Sequence, residues 1–325
     1  MGRGGRIREQ KDFSMISIEE NRCNQCGLCV MVCVRRILEQ GEKGVRVTDP
    51  SLCIFCGHCK AVCPTDALVF SNLNEKEFED APKIGELPEP SAFLQFLRRR
   101  RSLRIYKNKP VETEKFKMIL EAGRFAPTGG NRQACEYVVL RGRKILDRVC
   151  TLTIKSLTEE GRRIKEALDR HRRLQKPLPE TYITRQVYLP VWDRMARKWE
   201  EGEDQLFYHA PALVVIHVKN EATATPEVDS GMASMQMALM AEALGLGTCF
   251  IGFLVFSIEN SSELKKALKI PMDHQAHVAF VVGYPDVKFL KLVARNLARV
   301  KWLGEKGGKK GRREKQTWKL AGEIF

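Results

Sequence analysis

A run of four cysteines occurs twice near the start of the chain, and it restricts the fold more than any other feature. Each copy reads Cys-x2-Cys-x2-Cys-x3-Cys, and the copies are offset by thirty residues. The eight cysteines are Cys23, Cys26, Cys29 and Cys33, then Cys53, Cys56, Cys59 and Cys63. Because thiolates are soft ligands, a duplicated cysteine run predicts a duplicated metal centre.

Iron–sulfur clusters and zinc are the two alternatives for sites built from four cysteines. Zinc ribbons usually pair two separated Cys-x2-Cys knuckles, whereas these copies carry four cysteines in one short run. We therefore predict clusters. The pattern resembles a bacterial-type two-cluster ferredoxin over about residues 13–72. The fourth cysteine of each copy then ligates the other cluster. Cluster one takes Cys23, Cys26, Cys29 and Cys63, and cluster two takes Cys53, Cys56, Cys59 and Cys33.

Cations surround a single serine in the segment Arg98-Arg99-Arg100-Arg101-Ser102-Leu103-Arg104. Guanidinium groups bind phosphate oxygens bidentately, and a hydroxyl adds a further donor. The alternative for any such charge run is a solvated basic helix end.

Two later segments combine glycine with polar or apolar residues in loop-like patterns. Ala126–Gln133 reads Ala-Pro-Thr-Gly-Gly-Asn-Arg-Gln, and such loops place amides and hydroxyls against planar ligands. A plain turn is the alternative. The second segment, 244–252, reads Leu-Gly-Leu-Gly-Thr-Cys-Phe-Ile-Gly. Its glycines are expected to end a helix and to let the backbone approach a ligand closely.

Together these three segments resemble the nitroreductase family of FMN-dependent oxidoreductases, over about residues 93–302. The resemblance implies a phosphate site, a loop beside the flavin and a backbone N–H facing flavin N5. It assigns to FMN the residues Arg100, Arg101, Ser102, Arg104, Pro127, Thr128, Asn131, Gln133, Ile251, Gly252 and Arg295. No catalytic side chain is assigned, because the flavin itself supplies the reactive atom. The family also implies a homodimer in which the Thr128–Gln133 loop contacts the partner's flavin.

The predicted fold class is α+β: a small ferredoxin-like unit with two 4Fe-4S clusters precedes a nitroreductase-like α/β/α sandwich. The sandwich is expected to hold a mixed, mainly antiparallel sheet. The predicted divisions are 1–72 for the ferredoxin unit, 73–92 for a linker, 93–302 for the FMN unit and 303–325 for a basic tail.

Local patterns add four narrower expectations in the FMN unit. Asp229-Ser230 is predicted to cap a long helix through Leu244. A single helix is expected at Ile258–Leu268, and His209 and His217 are interpreted as lone structural histidines. The methionines Met232, Met235, Met237 and Met240 are predicted to fill the dimer core.

Composition bears on partners and location. The chain has 55 Lys plus Arg against 40 Asp plus Glu, a net charge of +15, which favours acidic partners such as ferredoxin or flavodoxin. Nucleic-acid binding is not expected, because no recognition motif occurs. The start lacks a secretory pattern, and the apolar runs are too short to span a bilayer. With eight cysteines at cluster spacing, we expect a reducing cytoplasm and no membrane attachment.

These features predict an FMN-dependent oxidoreductase that receives electrons through its clusters, from ferredoxin and/or NAD(P)H. Its expected substrate is a small planar acceptor, such as a nitroaromatic or a quinone. The alternative is an electron-transfer module whose flavin passes electrons to a protein partner.

Overall fold

The structure is a computed structural model that describes residues 15–175, 177–301 and 303. The strands are β1 (Ile16–Ile18), β2 (Leu38–Gly41), β3 (Gly44–Val47), β4 (Leu68–Phe70), β5 (Cys135–Arg141), β6 (Ala212–Lys219), β7 (Gly247–Phe250) and β8 (His274–Gly283). The helices are α1 (Leu28–Val32), α2 (His58–Ala61), α3 (Pro90–Arg99), α4 (Thr113–Arg124), α5 (Arg143–Leu174), α6 (Glu180–Arg185), α7 (Leu189–Glu200), α8 (Pro226–Ala243), α9 (Gly252–Asn260) and α10 (Ser262–Ala267). None of these described helices is both long and apolar enough to cross a membrane. Apart from Leu303, the predicted basic tail lies outside the described residues.

The first part of the chain, residues 15–78, is called the N-terminal lobe below. Strand β1 pairs with β4 and β2 pairs with β3, both antiparallel, around Leu38, Leu68 and Phe70. Left-handed backbone recurs at the thirty-residue offset: Gln25 and Phe55, Gly27 and Gly57, Arg36 and Asp66. The duplication seen in the sequence is therefore a duplication of backbone conformation as well.

Residues 90–303 are called the C-terminal lobe, and they are built on one four-stranded sheet. Its order is β5-β6-β8-β7, with every neighbouring pair antiparallel. Helices α4 and α8 cover one face, where Val214 and Ile216 are buried. Helices α5, α7, α9 and α10 cover the other face, where Leu213 and Val215 are buried. This arrangement confirms the predicted α+β class and the sandwich with a mainly antiparallel sheet.

Two helix predictions were wrong in detail. Helix α8 begins at Pro226, before the predicted Asp229-Ser230 cap, because proline is favoured in the first helical turn. The predicted Ile258–Leu268 helix is two helices, α9 and α10. Ser261 separates them with an extended backbone, and its hydroxyl accepts from the Leu264 N–H at 3.2 Å to cap α10.

The predicted methionine stripe divides between two environments. Met237 is fully buried in the core of its own chain, where α8 packs on α4, so its assignment to a dimer core was wrong. Met240 is partly buried in the same cluster. Met232 and Met235 remain 44% and 43% exposed and stay available to a partner.

Part of the predicted 73–92 linker packs on the N-terminal lobe through a buried lysine. The side chain of Lys60 is 3% exposed, and its Nζ lies 2.6 Å from Asp66 Oδ1 and 2.7 Å from Glu75 Oε2. It also donates to the Leu68 carbonyl at 2.9 Å. A buried ammonium needs such partners to offset the loss of hydration, so Lys60 joins α2, β4 and residue 75.

We predict that Lys60→Ala lowers the free energy of unfolding of the N-terminal lobe by about 1–3 kcal/mol, because three charge-assisted hydrogen bonds are lost. The measurement is the midpoint of thermal loss of visible cluster absorbance under anaerobic conditions. Exposed Lys76, changed to alanine, is the control and should leave the midpoint unchanged. Equal midpoints for Lys60→Ala and the unmodified protein would contradict the prediction.

Candidate functional site

Two small cavities in the N-terminal lobe are each lined by four cysteines. One is lined by Cys23, Cys26, Cys29 and Cys63, and the other by Cys33, Cys53, Cys56 and Cys59. These are the two crossed sets expected from the sequence, in which each run lends its last cysteine to the other site. Four thiols converging on one cavity fit the donor set of a 4Fe-4S cluster.

The cysteines of the two sets differ in their surroundings. Burial raises the pKa of the Cys59 thiol to about 12. Burial also acts on Cys63, but hydrogen bonds from the Ala67 N–H and Thr65 outweigh it and lower the pKa of that thiol. The Phe55 N–H donates to Cys53 Sγ at 3.4 Å. Such donors stabilise thiolate charge, and hydrogen bonds to sulfur tune the potential of a bound cluster.

A cavity of about 400 Å³ in the C-terminal lobe collects the predicted phosphate ligands. Its described lining consists of Arg100, Arg101, Ser102, Arg104, Ile105, Val287, Phe289 and Arg295. Four arginines line this space, and no carboxylate occurs among the described lining residues. Arg101 Nη1 is buried without a hydrogen-bond partner among the described residues. An uncompensated cationic cavity with an orphaned donor fits a phosphate group.

The arginine segment is held by backbone contacts with the strand that carries the glycine motif. Ser102 pairs with Thr248 in a parallel bridge, and the Leu103 N–H donates to the Thr248 carbonyl at 2.9 Å. The Tyr106 hydroxyl donates to the Leu103 carbonyl at 2.7 Å, and burial raises the pKa of Tyr106. Gly247 permits this approach, because an added Cβ would lie 2.4 Å from Leu103 Cδ2 and 2.9 Å from its Cβ.

A larger cavity of about 1110 Å³ adjoins the cationic one and shares Arg104 and Ile105 with it. The two residues predicted to face flavin N5, Ile251 and Gly252, line this larger space. Much of its remaining wall is aromatic, with Tyr188, Trp192, Tyr208, Phe253 and Phe256, and the charged residues Arg185, Arg194, Glu203 and Asp204 also line it. A cationic end continuous with an aromatic-rich chamber suits a ligand with a phosphate at one end and a flat ring at the other.

Tyr208 is a site residue that the sequence did not reveal. Its hydroxyl accepts from Arg104 Nε at 3.2 Å, and it lines the larger cavity. Its φ of 58° lies in the left-handed region, beside His209 with φ 53°. Since neither residue is glycine, this strained turn had no marker in the sequence.

The Pro127–Gln133 loop lines neither of these cavities and instead contacts the N-terminal lobe. Asn131 Nδ2 donates to the carbonyls of Ile54 and Phe55, at 3.1 and 2.9 Å. Both carbonyls lie between Cys53 and Cys56, within the loop of cluster two. Gln133 Nε2 donates to Asn131 Oδ1 at 3.3 Å, so both ends of the Asn131 amide have partners.

Buried Asp229 anchors the other side of this loop. Its Oδ1 accepts from the Gly129 N–H at 3.0 Å, and its carboxylate also accepts from the hydroxyls of Thr223 and Thr225. The Thr128 hydroxyl accepts from the Gln133 N–H at 3.0 Å and closes the loop internally. Asp229 is therefore a loop anchor in the first turns of α8, not the cap expected from the sequence.

Comparison with known proteins gives relatives for both lobes. Nitrobenzene nitroreductase of Ectopseudomonas oleovorans is 25% identical over 201 residues, which cover 58% of this chain and 85% of the relative. Ferredoxin 7Fe of Hydrogenibacillus schlegelii is 37% identical over 51 residues, 16% of this chain and 64% of the relative. A solved nitroreductase with bound FMN from Desulfitobacterium hafniense DCB-2 is 21% identical, with a TM-score of 0.46, covering 64% of this chain and 97% of its own.

Two family models match the chain. The 4Fe-4S dicluster domain matches residues 22–67, and the nitroreductase family matches residues 97–284, more than half of the 325 residues. These matches confirm the predicted class of enzyme, an FMN-dependent oxidoreductase, and its predicted cofactors, FMN and two 4Fe-4S clusters. The chain belongs to the nitroreductase family and carries a 4Fe-4S dicluster domain ahead of the nitroreductase domain.

Proposed function

We propose that this oxidoreductase takes electrons singly through its two clusters, from a ferredoxin or flavodoxin, and delivers them to a small planar acceptor at FMN. The clusters carry one electron each, and FMN exchanges one or two, so the pair links a one-electron donor to a two-electron reduction. The observation that carries this proposal is the contact of Asn131 with the cluster-two loop.

The proposed direction of electron flow rests on which cysteine loop contacts the C-terminal lobe. Ile54 and Phe55 belong to the loop of Cys53 and Cys56, so the contact favours cluster two as the one nearer the flavin and cluster one as the inlet. A net charge of +15 supports an acidic protein as the donor.

The chain's own residues would hold FMN in two parts. Arg100, Arg101, Arg104 and Arg295, with the Ser102 hydroxyl, would bind the phosphate, because no carboxylate occurs among the described residues that line their cavity. The backbone of Ile251 and Gly252 would border the flat ring in the adjoining chamber. The chamber's aromatic wall would exclude water and admit a planar acceptor.

A homodimer would complete this site. The Thr128–Gln133 loop lines neither cavity of its own chain, which supports its predicted role beside the partner's flavin. Half-exposed Met232 and Met235 on α8, and exposed Phe289 and Leu290, supply apolar surface for the partner. Eight cysteines line the two cluster sites, and such sites need a reducing compartment, which supports the predicted cytoplasmic location.

The name of the Ectopseudomonas oleovorans relative supports nitroaromatics as one acceptor class. Quinones remain the other, because both are flat and electron-poor.

The direct test offers each donor separately to anaerobic protein and follows visible absorbance, then adds nitrobenzene or a quinone. We expect reduced ferredoxin to bleach the flavin faster than NADH or NADPH, and the acceptor to restore its colour over many turnovers. Bleaching of the flavin by NADH or NADPH but not by reduced ferredoxin would refute ferredoxin as the electron donor. Absence of turnover with every small acceptor would instead support the electron-transfer module.

We predict that Gly247→Ala weakens FMN binding by about tenfold or more, because the new methyl group overlaps Leu103 and displaces the segment of Ser102 and Arg104. Equilibrium dialysis of FMN against flavin-free protein measures the dissociation constant. Gly231→Ala is the matched control, since no atom lies within 4 Å of its added Cβ. An unchanged dissociation constant for Gly247→Ala would refute the assigned phosphate site.

We predict that Asn131→Ala loosens the cluster-two loop, because two hydrogen bonds of about 1 kcal/mol each are lost. Hydrogen exchange at the amides of residues 54–56 should accelerate roughly tenfold or more. Transfer of electrons from cluster to flavin, measured per bound FMN, should slow, while the iron content stays unchanged.

Asn220→Ala, at an exposed asparagine, is the control for Asn131→Ala and should alter neither quantity. If Asn131→Ala accelerates exchange yet leaves the transfer rate as it was, the contact is structural and the assigned route fails. If exchange is also unchanged, the contact itself is refuted.

A further inference from the structure

Three potential metal ligands meet at one end of the main sheet, remote in sequence from the cysteine runs. Glu136 lies on β5, His217 on β6 and His274 on β8. One ligand atom of each lies within 4.8 Å of the other two. The sequence marked His217 as a lone structural histidine, whereas the structure gives it two partners from neighbouring strands.

Strand pairing explains why these side chains converge. Glu136 stands directly opposite His217 in the antiparallel pairing of β5 and β6. The pairing of β6 with β8 has a register shift between Ile216 and His217. Such irregularities turn a side chain from its regular direction, and here the shift brings His217 beside His274.

The two imidazoles face each other through the same type of nitrogen. His217 Nδ1 and His274 Nδ1 are 2.9 Å apart, and both residues are buried, at 4% and 6% exposure. Nitrogens bound to one zinc ion at about 2.0–2.1 Å and a tetrahedral angle are roughly 3.3 Å apart. The pair therefore needs to open by only a few tenths of an ångström to hold an ion.

Glu136 supplies the charge that such an ion requires. Its Oε1 lies 3.9 Å from His274 Nδ1, and its side chain is 59% exposed at the sheet edge. Two imidazoles and one carboxylate form a ligand set that zinc uses, with a fourth position left to water. The exposed side of Glu136 gives an ion and its water access from solvent.

We propose that Glu136, His217 and His274 form a binding site for a divalent first-row metal ion, with Zn²⁺ as the expected ion. The ion would join β5 to β6 and β8 at the start of β5, two residues after the Pro127–Gln133 loop ends. None of the three residues lines the cationic cavity or the larger chamber. The site is therefore separate from the proposed flavin site, and its existence does not depend on the electron route.

The alternative arrangement is an imidazole–imidazole hydrogen bond without an ion. One Nδ1 would then carry a proton and donate it to the other. This alternative makes the opposite prediction for metal content, because it leaves no free electron pair at the donating nitrogen.

The test uses anaerobically prepared holoprotein that retains its iron and FMN, freed of loose metal by a chelating resin. Zinc is added at increasing concentration, and bound zinc is measured by mass spectrometry after gel filtration. We expect one zinc ion per chain with no loss of iron, and a rise in melting temperature. The unmodified protein binding no zinc while its iron is retained would overturn the proposal.

Variants of the three residues separate this site from adventitious binding. Exposed Glu136→Ala, which should fold normally, is expected to weaken zinc binding by about tenfold or more. His217→Ala and His274→Ala should abolish it. His277→Gln is the matched control, because its side chain is 5% exposed on the same strand and lies outside the group, so it should bind zinc normally.

If the histidine variants fail to fold, Glu136→Ala and the unmodified protein still decide the question. Zinc bound equally tightly by Glu136→Ala and by the unmodified protein would assign the ion to another site and refute the proposal. Ferrous iron, offered in a parallel titration, distinguishes a zinc site from a mononuclear iron site. Tighter binding of ferrous iron than of zinc by the three residues would overturn the assignment of zinc as the bound ion.

Discussion

Two hydrogen bonds from one side-chain amide connect the lobe that carries the cysteine sites with the lobe that carries the flavin pocket. Asn131 and Phe55 both adopt left-handed backbone, with φ of 52° and 51°, so each loop presents its group in a constrained geometry. Gln133 holds the oxygen of the Asn131 amide, which leaves the two N–H groups aimed at the cluster-two loop. A second contact joins the lobes as well, because Arg124 Nη1 donates to Glu77 Oε2 at 3.0 Å.

The second part of the candidate site is the arginine-lined cavity, whose positive charge favours binding of an anion. Four guanidinium groups around one cavity repel each other unless an anion lies among them, and the described lining provides no carboxylate. Arg101 Nη1 also lacks an acceptor, because it is buried without a hydrogen-bond partner among the described residues. A phosphate would satisfy both, whereas the carboxylate of Glu242 pairs with Arg99 at 2.7 Å and is not among the residues that line this cavity.

The sequence predicted best where covalent spacing fixes geometry. Three cysteines two residues apart can wrap one centre, and the resemblance to two-cluster ferredoxins added the crossed fourth ligand. The structure brings both sets of four together. The arginine and glycine segments were found because each carries its own residue signature. Their close packing, with Leu103 against Gly247, then follows from the missing Cβ.

The sequence did not predict the contacts between segments that are far apart in the chain. Nothing in the Pro127–Gln133 pattern indicates that Asn131 would reach residues 54 and 55, because that contact depends on how two lobes pack. Asp229 was predicted to cap a helix, but α8 begins earlier, at Pro226. The Asp229 carboxylate instead accepts from the Gly129 N–H. His217 resembled a solitary core histidine, because its partner His274 lies 57 residues away and meets it only through a register shift.

The proposed electron route can be decided by the rate of flavin reduction by a low-potential ferredoxin, measured in a protein whose clusters have been removed by Cys26→Ser and Cys56→Ser. The variant must retain FMN, which is counted by its absorbance after release. We expect rapid reduction in the unmodified protein and a severe loss of rate in the variant. Equal rates in the two proteins, or rapid reduction of the variant's flavin by NADH or NADPH, would contradict it.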